Sequence, residues 1–404
     1  MSTSSDHRLG WALGLGAVAL VALLSRAAAE PIDPSLPQRR SVGAPAGAAA
    51  MARVDAARSG RARTALPDAP KILWRARAMG SARGPVAVSR DGAVVIASSG
   101  GTLSQLGADG KNAWSLRTGN GSPVTGPVLL SDERRAVVTS AAELVLVDAD
   151  GKHPTTVSLP LSGARVFAEP LPTPSGGLLL ASSLDLLLLD GAGRLQTRAK
   201  VPETVITLIG RRADFLAVSA RGNVYAWQPP SLPRKLGSFG GSVLGAALRS
   251  ERVLTAVVDE KRVVDLDLST DTRHLRLDGS ERLEGQLALL ATGEARLTTT
   301  DGLLEGLEKD GHESLRVPLE PLVGFGDAGA PGIGVASGAP APIVDSAGRT
   351  GFVRPGVDAG VVSKDGSIHG AAGASCPDPV ALAPAGERRM VLVCSTGHVW
   401  MLGS

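Results

Sequence analysis

The sequence predicts an all-β fold, an eight-bladed β-propeller with four short strands in each blade. A short apolar strand recurs along the chain, and most copies follow one another at about 40 residues, a period typical of propellers and solenoids. The eight copies begin at Leu103, Leu144, Leu186, Val224, Val263, Leu303, Val361 and Val399. The 404 residues also include 50 Gly and 27 Pro, too many turn-forming residues for a helical bundle.

The composition excludes several other classes. Hydrophobic residues make up 43% of the chain and charged residues 20%, with a net charge of only +3, which argues against intrinsic disorder. Two cysteines are too few for a disulfide-dense small fold.

The first 29 residues are expected to form a signal peptide or a membrane anchor. Residues 10–24 are an uncharged apolar run followed by small residues, a pattern typical of secretory signals. Ala27 and Ala29 fit the small-residue cleavage rule, which places cleavage between Ala29 and Glu30. A transmembrane helix needs ~20 apolar residues; because the run is shorter, cleavage is favoured and a retained anchor is the alternative. Either outcome predicts an extracytoplasmic protein, periplasmic or secreted.

Residues 30–69 form a compositionally different zone. They lack helix and strand periodicity over most of their length and are rich in Ala, Pro, Arg, Gly and Ser. This composition predicts a flexible linker, partly in the polyproline II conformation, ahead of a propeller that spans residues 70–404.

Each repeat contains two further strands upstream of the apolar one. Residues 93–98 and 253–258 are copies of the nearer strand, and residues 84–89 and 205–210 are copies of the one before it. A Pro such as Pro85 often stands near the start of that first strand, where a missing N–H is tolerated. Asp-Gly pairs between the strands supply the positive φ that tight hairpins need.

The two ends of the repeat region predict how the ring closes. The last repeat lacks a fourth strand, whereas a spare strand at 71–77 precedes the first repeat. Pairing this strand with the C-terminal blade would remove an unpaired sheet edge. The long spacing before the seventh copy, from Leu303 to Val361, predicts a Gly-rich insertion at 324–340 in one blade, and a ninth, degenerate repeat around 312–360 is the alternative.

The unit resembles the quinoprotein-type (PQQ-like) β-propeller repeat, which has a Trp strand, then Gly-Pro, and a third strand of the type Gly-x-Leu/Val-Tyr-x-Leu-Asp. Trp74 with Gly84-Pro85, and Trp114 with Gly126-Pro127, match the first part, while residues 222–227 and 397–402 match the third strand. The resemblance covers residues 71–404. Trp is missing from most units, which implies that tryptophan docking between blades is only partial.

The same resemblance bears on activity. Enzymatic members have an adjacent cysteine pair over the quinone and a cluster of Ca²⁺-binding side chains, and this chain has no adjacent cysteines. The resemblance therefore implies the non-enzymatic branch, similar in architecture to the eight-bladed lipoprotein of the outer-membrane β-barrel assembly machinery. No cofactor and no catalytic or metal-binding residue is assigned.

Cys376 and Cys394 are the candidate disulfide. One precedes the first strand of the last blade and the other ends the next strand, so antiparallel pairing would bring them close. In an oxidising compartment such a pair can bond. Two buried free thiols are the alternative.

Other polar residues carry weaker patterns. His153, His274, His312, His369 and His398 fall in different repeats without zinc-site spacing. The Asp-x-Asp-Gly at 148–151 resembles the start of a Ca²⁺ loop, but Lys152 breaks the pattern, which favours a hairpin turn.

The basic pI of about 9.1 raises the question of nucleic-acid binding. The excess positive charge lies in residues 1–69, and residues 70–404 contain equal numbers of basic and acidic residues. A neutral, aromatic-poor propeller is a poor phosphate binder, so no nucleic-acid partner is expected.

These observations predict an extracytoplasmic protein-interaction scaffold. It would be monomeric, would bind protein partners in the cell envelope, and would touch a membrane only through an uncleaved N-terminal segment. The alternative is a small-ligand-binding, lyase or hydrolase-type propeller that uses the central channel or a loop face. Three of the innermost strands, at residues 84–89, 126–131 and 205–210, carry no charge, which argues against a polar active site there, although loop residues could supply one.

Overall fold

The computed structural model describes residues 49–51, 53–161, 168–279, 281–319, 340–354 and 358–404. The expected signal segment, its cleavage position at Ala29 and Glu30, and nearly all of the expected insertion at 324–340 lie outside these residues. The described residues belong to one compact unit, Arg40–Ser404. No helix among them is long and apolar enough to cross a membrane.

The described residues form 32 strands in eight four-stranded antiparallel sheets. The first strand belongs to the last blade, and blades 1 to 4 follow in chain order: β1 (Lys71–Arg77); β2 (Ala87–Val88), β3 (Val94–Ser98), β4 (Thr102–Leu106), β5 (Asn112–Arg117); β6 (Val128–Leu129), β7 (Arg135–Val138), β8 (Glu143–Val147), β9 (Thr155–Ser158); β10 (Leu171–Pro172), β11 (Leu178–Ser182), β12 (Asp185–Leu189), β13 (Leu195–Lys200); β14 (Val205–Gly210), β15 (Phe215–Ser219), β16 (Asn223–Trp227), β17 (Arg234–Ser238). Blades 5 to 8 are β18 (Val243–Ser250), β19 (Val253–Val258), β20 (Arg262–Asp267), β21 (Thr272–Asp278); β22 (Leu283–Leu289), β23 (Ala295–Thr299), β24 (Leu303–Leu307), β25 (Glu313–Pro318); β26 (Ile343–Val344), β27 (Thr350–Phe352), β28 (Asp358–Val362), β29 (Ile368–Ser375); β30 (Pro379–Pro384), β31 (Arg389–Cys394), β32 (His398–Gly403).

The eight-bladed propeller is confirmed, including its closure. In blades 1 to 7 the sheet order follows the chain, and blade 8 has the order β1-β32-β31-β30. Strand β1 pairs antiparallel with β32, with Lys71 opposite Gly403 and Arg77 opposite His398. The strand that precedes the first repeat therefore completes the last blade.

The first strands of neighbouring blades converge and line the central channel, whereas the fourth strands form the outer rim. Second and third strands are almost wholly buried, as in β3 and β19, and build the core between blades. We call the side of the ring where the first strands end the upper face. The lower face is the side where they begin, and it carries the connections between blades.

Tryptophan docking between blades is present at two positions. Trp74 in β1 donates its indole N–H to the Ala108 carbonyl of blade 1 (2.7 Å), and Trp114 in β5 donates to the Ala149 carbonyl of blade 2 (3.1 Å). Gly151 has φ of +80°, and a Cβ there would lie 2.4 Å from Trp114 Cγ, so this turn requires glycine.

The interpretation of residues 30–69 as a flexible linker is wrong for the described residues 49–68. Ala49, Ala50, Met51, Ala62 and Leu66 are all buried, and the backbone of this stretch bonds to the ring. Residues 30–48 lie outside the described residues. The physical reason is that a chain without strand periodicity still becomes ordered when the blade edges supply hydrogen-bond partners.

Candidate functional site in the central channel

The central channel holds a segment of the chain itself. We call residues 49–51 and 53–66 the channel segment. In blade order, its backbone bonds to the ring are Val88 with Ala49 in both directions (2.7 and 3.1 Å), Leu129 N to Ala50 O (2.8 Å), Gly210 N to Ala56 O (2.8 Å), Leu248 N to Ala57 O (2.8 Å), Leu289 N to Ser59 O (2.8 Å), Val344 N to Gly60 O (2.9 Å), Ala62 N to Val344 O (2.6 Å) and Arg388 N to Ala65 O (2.9 Å). The segment thus passes the blades once around, in their own order.

The bonded ring residues share one position in the fold. Most lie at or next to the end of a first strand, as Val88, Leu129 and Leu289 do. A first strand is an edge strand, so its channel-facing N–H and C=O groups have no partner within the sheet. Buried backbone groups of this kind need partners, and the channel segment provides them at the upper end of the channel.

Small side chains allow the close approach. Gly60 has φ of +68°, and a Cβ there would lie 3.2 Å from Ala288 Cβ and from the Pro342 carbonyl oxygen. On the ring side, a Cβ at Gly210 would lie 3.1 Å from Ala56 Cβ. The many Ala and Gly residues of the segment therefore match the narrow space between it and the strands.

The segment is folded into tight turns. Asp55 accepts hydrogen bonds from Ser59 N (2.9 Å) and Ser59 Oγ (2.6 Å), and the Arg58 N–H donates to the Asp55 carbonyl (3.0 Å). Val54 has φ of +72°, a left-handed conformation that is rare for a β-branched residue. The surrounding ring must stabilise this conformation, because the sequence alone disfavours it.

Arg58 joins the segment to blades 3 and 4. Its Nε donates to the Leu208 carbonyl (2.9 Å), and its Nη2 donates to the carbonyls of Glu169 (2.8 Å) and Pro170 (3.1 Å). The residue is only 3% exposed. Burial lowers the pKa of Arg58 to about 10, opposed by the negative charges of Glu169 and Asp55, so the guanidinium stays charged at neutral pH.

Glu169 lies two residues before β10, the first strand of blade 3. Its Oε2 accepts a hydrogen bond from Gly126 N (2.8 Å) in blade 2. Burial raises the pKa of Glu169 to about 6, and Arg58, the Gly126 N–H and Arg83 oppose that shift. Glu169 is thus a buried acidic group of the channel with a pKa above its usual range.

Arg53 is the second cation of the segment in this region. Burial lowers its pKa to about 10, partly offset by Asp55, and repulsion from Arg58 lowers it further. Its Nε and Nη2 are buried and have no hydrogen-bond partner among the described residues. The charged groups around Arg58 thus come from the segment and from Glu169, which precedes β10, while the first strands β18 and β22 carry Arg249 and Gln286 of their own.

The candidate disulfide residues meet in blade 8. Cys376 follows β29 and Cys394 ends β31; they are joined in the structure with Cα atoms 5.9 Å apart, and both are fully buried. The bridge thus joins the residue three positions before β30 to the last residue of β31, in the blade that closes the ring. Whether the pair is oxidised in solution remains a prediction, which thiol titration tests.

The remaining polar residues stay apart. His153 is exposed beside Asp148, with 2.9 Å between Nδ1 and Oδ2, and the 148–151 stretch forms the hairpin turn between β8 and β9. No group of three or more potential metal ligands occurs within the described residues. A shallow groove on the lower face has Leu184, Glu203 and Arg221 in its lining, but the Glu203 carboxylate is already bonded to Asn223 Nδ2 (2.7 Å).

Sequence reasoning missed the channel residues Arg53, Asp55, Arg58 and Glu169. The first three lie in the stretch predicted to be a linker, and Glu169 lies two residues before the two-residue strand β10. One pattern could have indicated them, namely the run of small residues around a few isolated Arg residues. Small residues permit close backbone packing, and a buried Arg can donate to several carbonyls.

Comparisons with known proteins agree with this fold. A family model described as outer membrane protein assembly factor BamB matches residues 59–228, less than half of the chain. No curated protein matches the chain. The crystal structure of BamB from Moraxella catarrhalis is similar, with a TM-score of 0.61 and 15% identity, over 83% of this chain and 98% of that one.

A second solved structure makes the same point. The computationally designed Ika8 protein is similar with a TM-score of 0.63 and 14% identity, over 83% of this chain and 100% of that one. At such identities the likeness concerns the fold alone. The chain is a PQQ-like β-propeller that resembles BamB.

Proposed function

We propose that this protein is an extracytoplasmic protein-interaction scaffold of the cell envelope. The family model that matches residues 59–228 is described as an outer membrane protein assembly factor, which supports a role in binding other proteins. The apolar, uncharged run at 10–24 supports export.

One observation carries the choice between the two candidate functions. The channel segment forms backbone hydrogen bonds to seven blades, mostly at the ends of their first strands, and the Arg58 side chain reaches blade 3. The chain's own residues therefore occupy the upper end of the channel, where a small ligand would otherwise enter. Because the channel segment occupies this end of the channel, we expect partner proteins to bind to the outer surfaces of the ring.

The ring is suited to such a role because its exposed loops and strands are held by a rigid frame. Large apolar side chains are exposed at several points, including Leu232, Leu275 and Met79. Aliphatic side chains exposed on a rigid surface are available for contact with a partner.

Site-specific photocrosslinking tests the proposal. A photoreactive amino acid is placed in turn at Leu232, Leu275 and Met79 of the full chain, and at the fully buried Leu103 as the control. Irradiation in intact cells of the producing organism should give discrete protein adducts at one or more exposed positions and none at Leu103. The scaffold proposal fails if no exposed position gives a protein adduct.

A fusion tests the location. A reporter enzyme that is active only after export, joined after Ser404, should be active in cells that make the full chain, and inactive when residues 1–29 are deleted. Activity that persists after the deletion would contradict the export role of this segment.

A further inference from the structure

Arg53 is a cation of the channel segment that the rest of the chain leaves without a partner. Its Nε and Nη2 atoms are buried and have no hydrogen-bond partner, and its guanidinium forms no ion pair with any described residue. Burial lowers the pKa of Arg53 to about 10, so the group remains charged at neutral pH. Buried donors are almost always paired in folded proteins, and a bound ion is one explanation of an unpaired donor.

The Arg53 guanidinium lies beneath the channel segment. The Gly60 N–H donates to the Arg53 carbonyl (3.2 Å), which closes residues 53–60 into a loop at the upper end of the channel. A Cβ at Gly60 would lie 3.1 Å from Arg53 Nη2 and 3.2 Å from both Ala288 Cβ and the Pro342 carbonyl oxygen. Ala288 and Pro342 stand before the residues of β22 and β26 that bond to the segment, and the first strands run from the lower face to the upper face. Nη2 therefore lies on the side of the loop that faces the lower part of the channel.

The charged side chains around this point carry a positive excess. Burial lowers the pKa of Arg53, Arg58 and Arg61 alike. The acids that act on them among the described side chains are Asp55 and Glu169, so three positive charges oppose two negative ones. Repulsion from Arg58 lowers the pKa of Arg53 further, and an anion beside Arg53 would relieve that repulsion.

The lower part of the channel leads to this point. The channel segment occupies the upper end, where its backbone bonds follow the blades around the ring. Below it, Ile206, Leu244 and Gln286 of the first strands are only half-buried. Arg83 is exposed just before β2, at the lower face, and lies close enough to Glu169 to oppose the rise of that group's pKa. A cation at this position attracts anions toward the channel.

We propose that Arg53 binds a small oxyanion, a phosphate or a carboxylate group, in the channel just below the channel segment. A guanidinium holds its N–H donors in a planar fork that matches the oxygens of either group. The positive charges of Arg58 and Arg61 strengthen the attraction, while their Nε atoms stay bonded to the carbonyls of Leu208 and Leu289. The site lies inside the ring and is therefore independent of the scaffold function, which concerns the outer surfaces.

Calorimetric titration of the full chain with sodium phosphate tests the site. Ionic strength is held constant with sodium chloride, so that general screening does not contribute. The parent protein should bind phosphate saturably, and Arg53→Met should bind it about tenfold more weakly or worse, because it lacks the charged donors. Arg53→Lys keeps the charge but loses the fork, and its affinity should lie between the two. The matched control Arg212→Met, at an exposed arginine of an upper-face turn, should bind like the parent protein.

Acetate, titrated in the same way, identifies the source of the oxyanion. Tighter binding of phosphate points to free phosphate or a phosphate ester, and tighter binding of acetate points to the carboxylate of an organic acid or a peptide. Either order supports the site, provided that Arg53→Met loses binding of the preferred anion.

Urea unfolding gives a second measurement that separates anion binding from a structural role of Arg53. In buffer without oxyanions, Arg53→Met should unfold at the same urea concentration as the parent protein or a higher one, because it removes a buried cation that has no partner. Phosphate should raise the unfolding midpoint of the parent protein and of Arg212→Met, since a ligand that binds only the folded state stabilises it, and should leave that of Arg53→Met unchanged. The proposal is overturned if neither anion binds saturably to the parent protein, if Arg53→Met and the parent bind equally, or if phosphate shifts all the midpoints alike.

Discussion

Removing the Arg58 guanidinium should destabilise the whole ring, although Arg58 belongs to no strand. Arg58→Met keeps the length and the apolar stem of the side chain. It deletes the donors to the carbonyls of Leu208, Glu169 and Pro170, at 2.9, 2.8 and 3.1 Å. The perturbation thus acts on blades 3 and 4 through the channel.

The magnitude follows from burial. Hydrogen bonds from a charged group contribute roughly 1.5–3 kcal/mol each, and an acceptor left buried without a partner costs about 1–3 kcal/mol. Removing one partner of a buried charge pair costs about 3–5 kcal/mol. Because these terms overlap, we expect Arg58→Met to lower the free energy of unfolding by about 3–5 kcal/mol.

The assay is urea unfolding followed by Trp fluorescence at pH 7. The matched control is Arg212→Met, the same change at an exposed arginine, which should stay within about 0.5 kcal/mol of the parent protein. In the double variant Arg58→Met/Glu169→Gln, the loss should be smaller than the sum of the single losses by about 0.5–3 kcal/mol, because the two residues interact. If Arg58→Met costs no more than the control, the argument for an anchored segment is refuted.

Three further predictions concern the channel, the last blade and the blade contacts. Glu169, with its pKa raised from 4.5 to about 6, holds its proton more tightly in the folded state. Its contribution to the free energy of unfolding is therefore complete below pH 4.5 and is lost as the pH rises through 6. Urea unfolding at a series of pH values should show a loss of about 1–2 kcal/mol over this range, and Glu169→Gln should not show it. Thiol titration of the denatured protein should find no free thiol, and two titratable thiols would contradict the disulfide. The double variant Cys376→Ser/Cys394→Ser should lose about 3 kcal/mol of its free energy of unfolding, since the bridge spans 18 residues. Gly151→Ala would place a Cβ 2.4 Å from Trp114 Cγ, whereas Gly386→Ala is a control with positive φ but no atom within 4 Å of its Cβ. Gly151→Ala should therefore lower the free energy of unfolding by about 1–3 kcal/mol more than Gly386→Ala does, and equal losses would contradict the packing argument.

The blades could be predicted from the sequence because their information is local. The strand expected at 253–258 is β19, and the one expected at 205–210 is β14. Each is a short apolar run bounded by turn residues, so spacing alone locates it. The closure by residues 71–77 followed from counting strands in the first and last repeats.

The channel segment could not be predicted in the same way. Its residues have no periodicity, and their partners are distant in the chain, as for Ala62 and Val344. Tertiary contacts, and not intrinsic propensity, order this stretch. Composition correctly indicated that it is neither helix nor strand, but composition carries no information on what it packs against.

The charge count failed for a related reason. It placed Arg53 and Arg58 in an exposed linker, whereas both lie within the channel and Arg58 is 3% exposed. The net charge of residues 70–404 is also zero, although the fourth, outermost strands of the eight blades contain eleven Lys and Arg residues and only two acidic residues. Only the placement of strands in blades separates the rim from the faces.

Hydrogen–deuterium exchange of the channel segment tests the central claim most directly. Peptides covering residues 53–66 report on the amides of Val54, Arg58, Gly60, Ala62 and Leu66, each bonded to a backbone or carboxylate oxygen. If the segment is part of the ring, these amides should exchange as slowly as those of β3 and β19. Complete exchange within seconds, as in a flexible linker, would contradict the claim that the chain fills the upper end of its own channel.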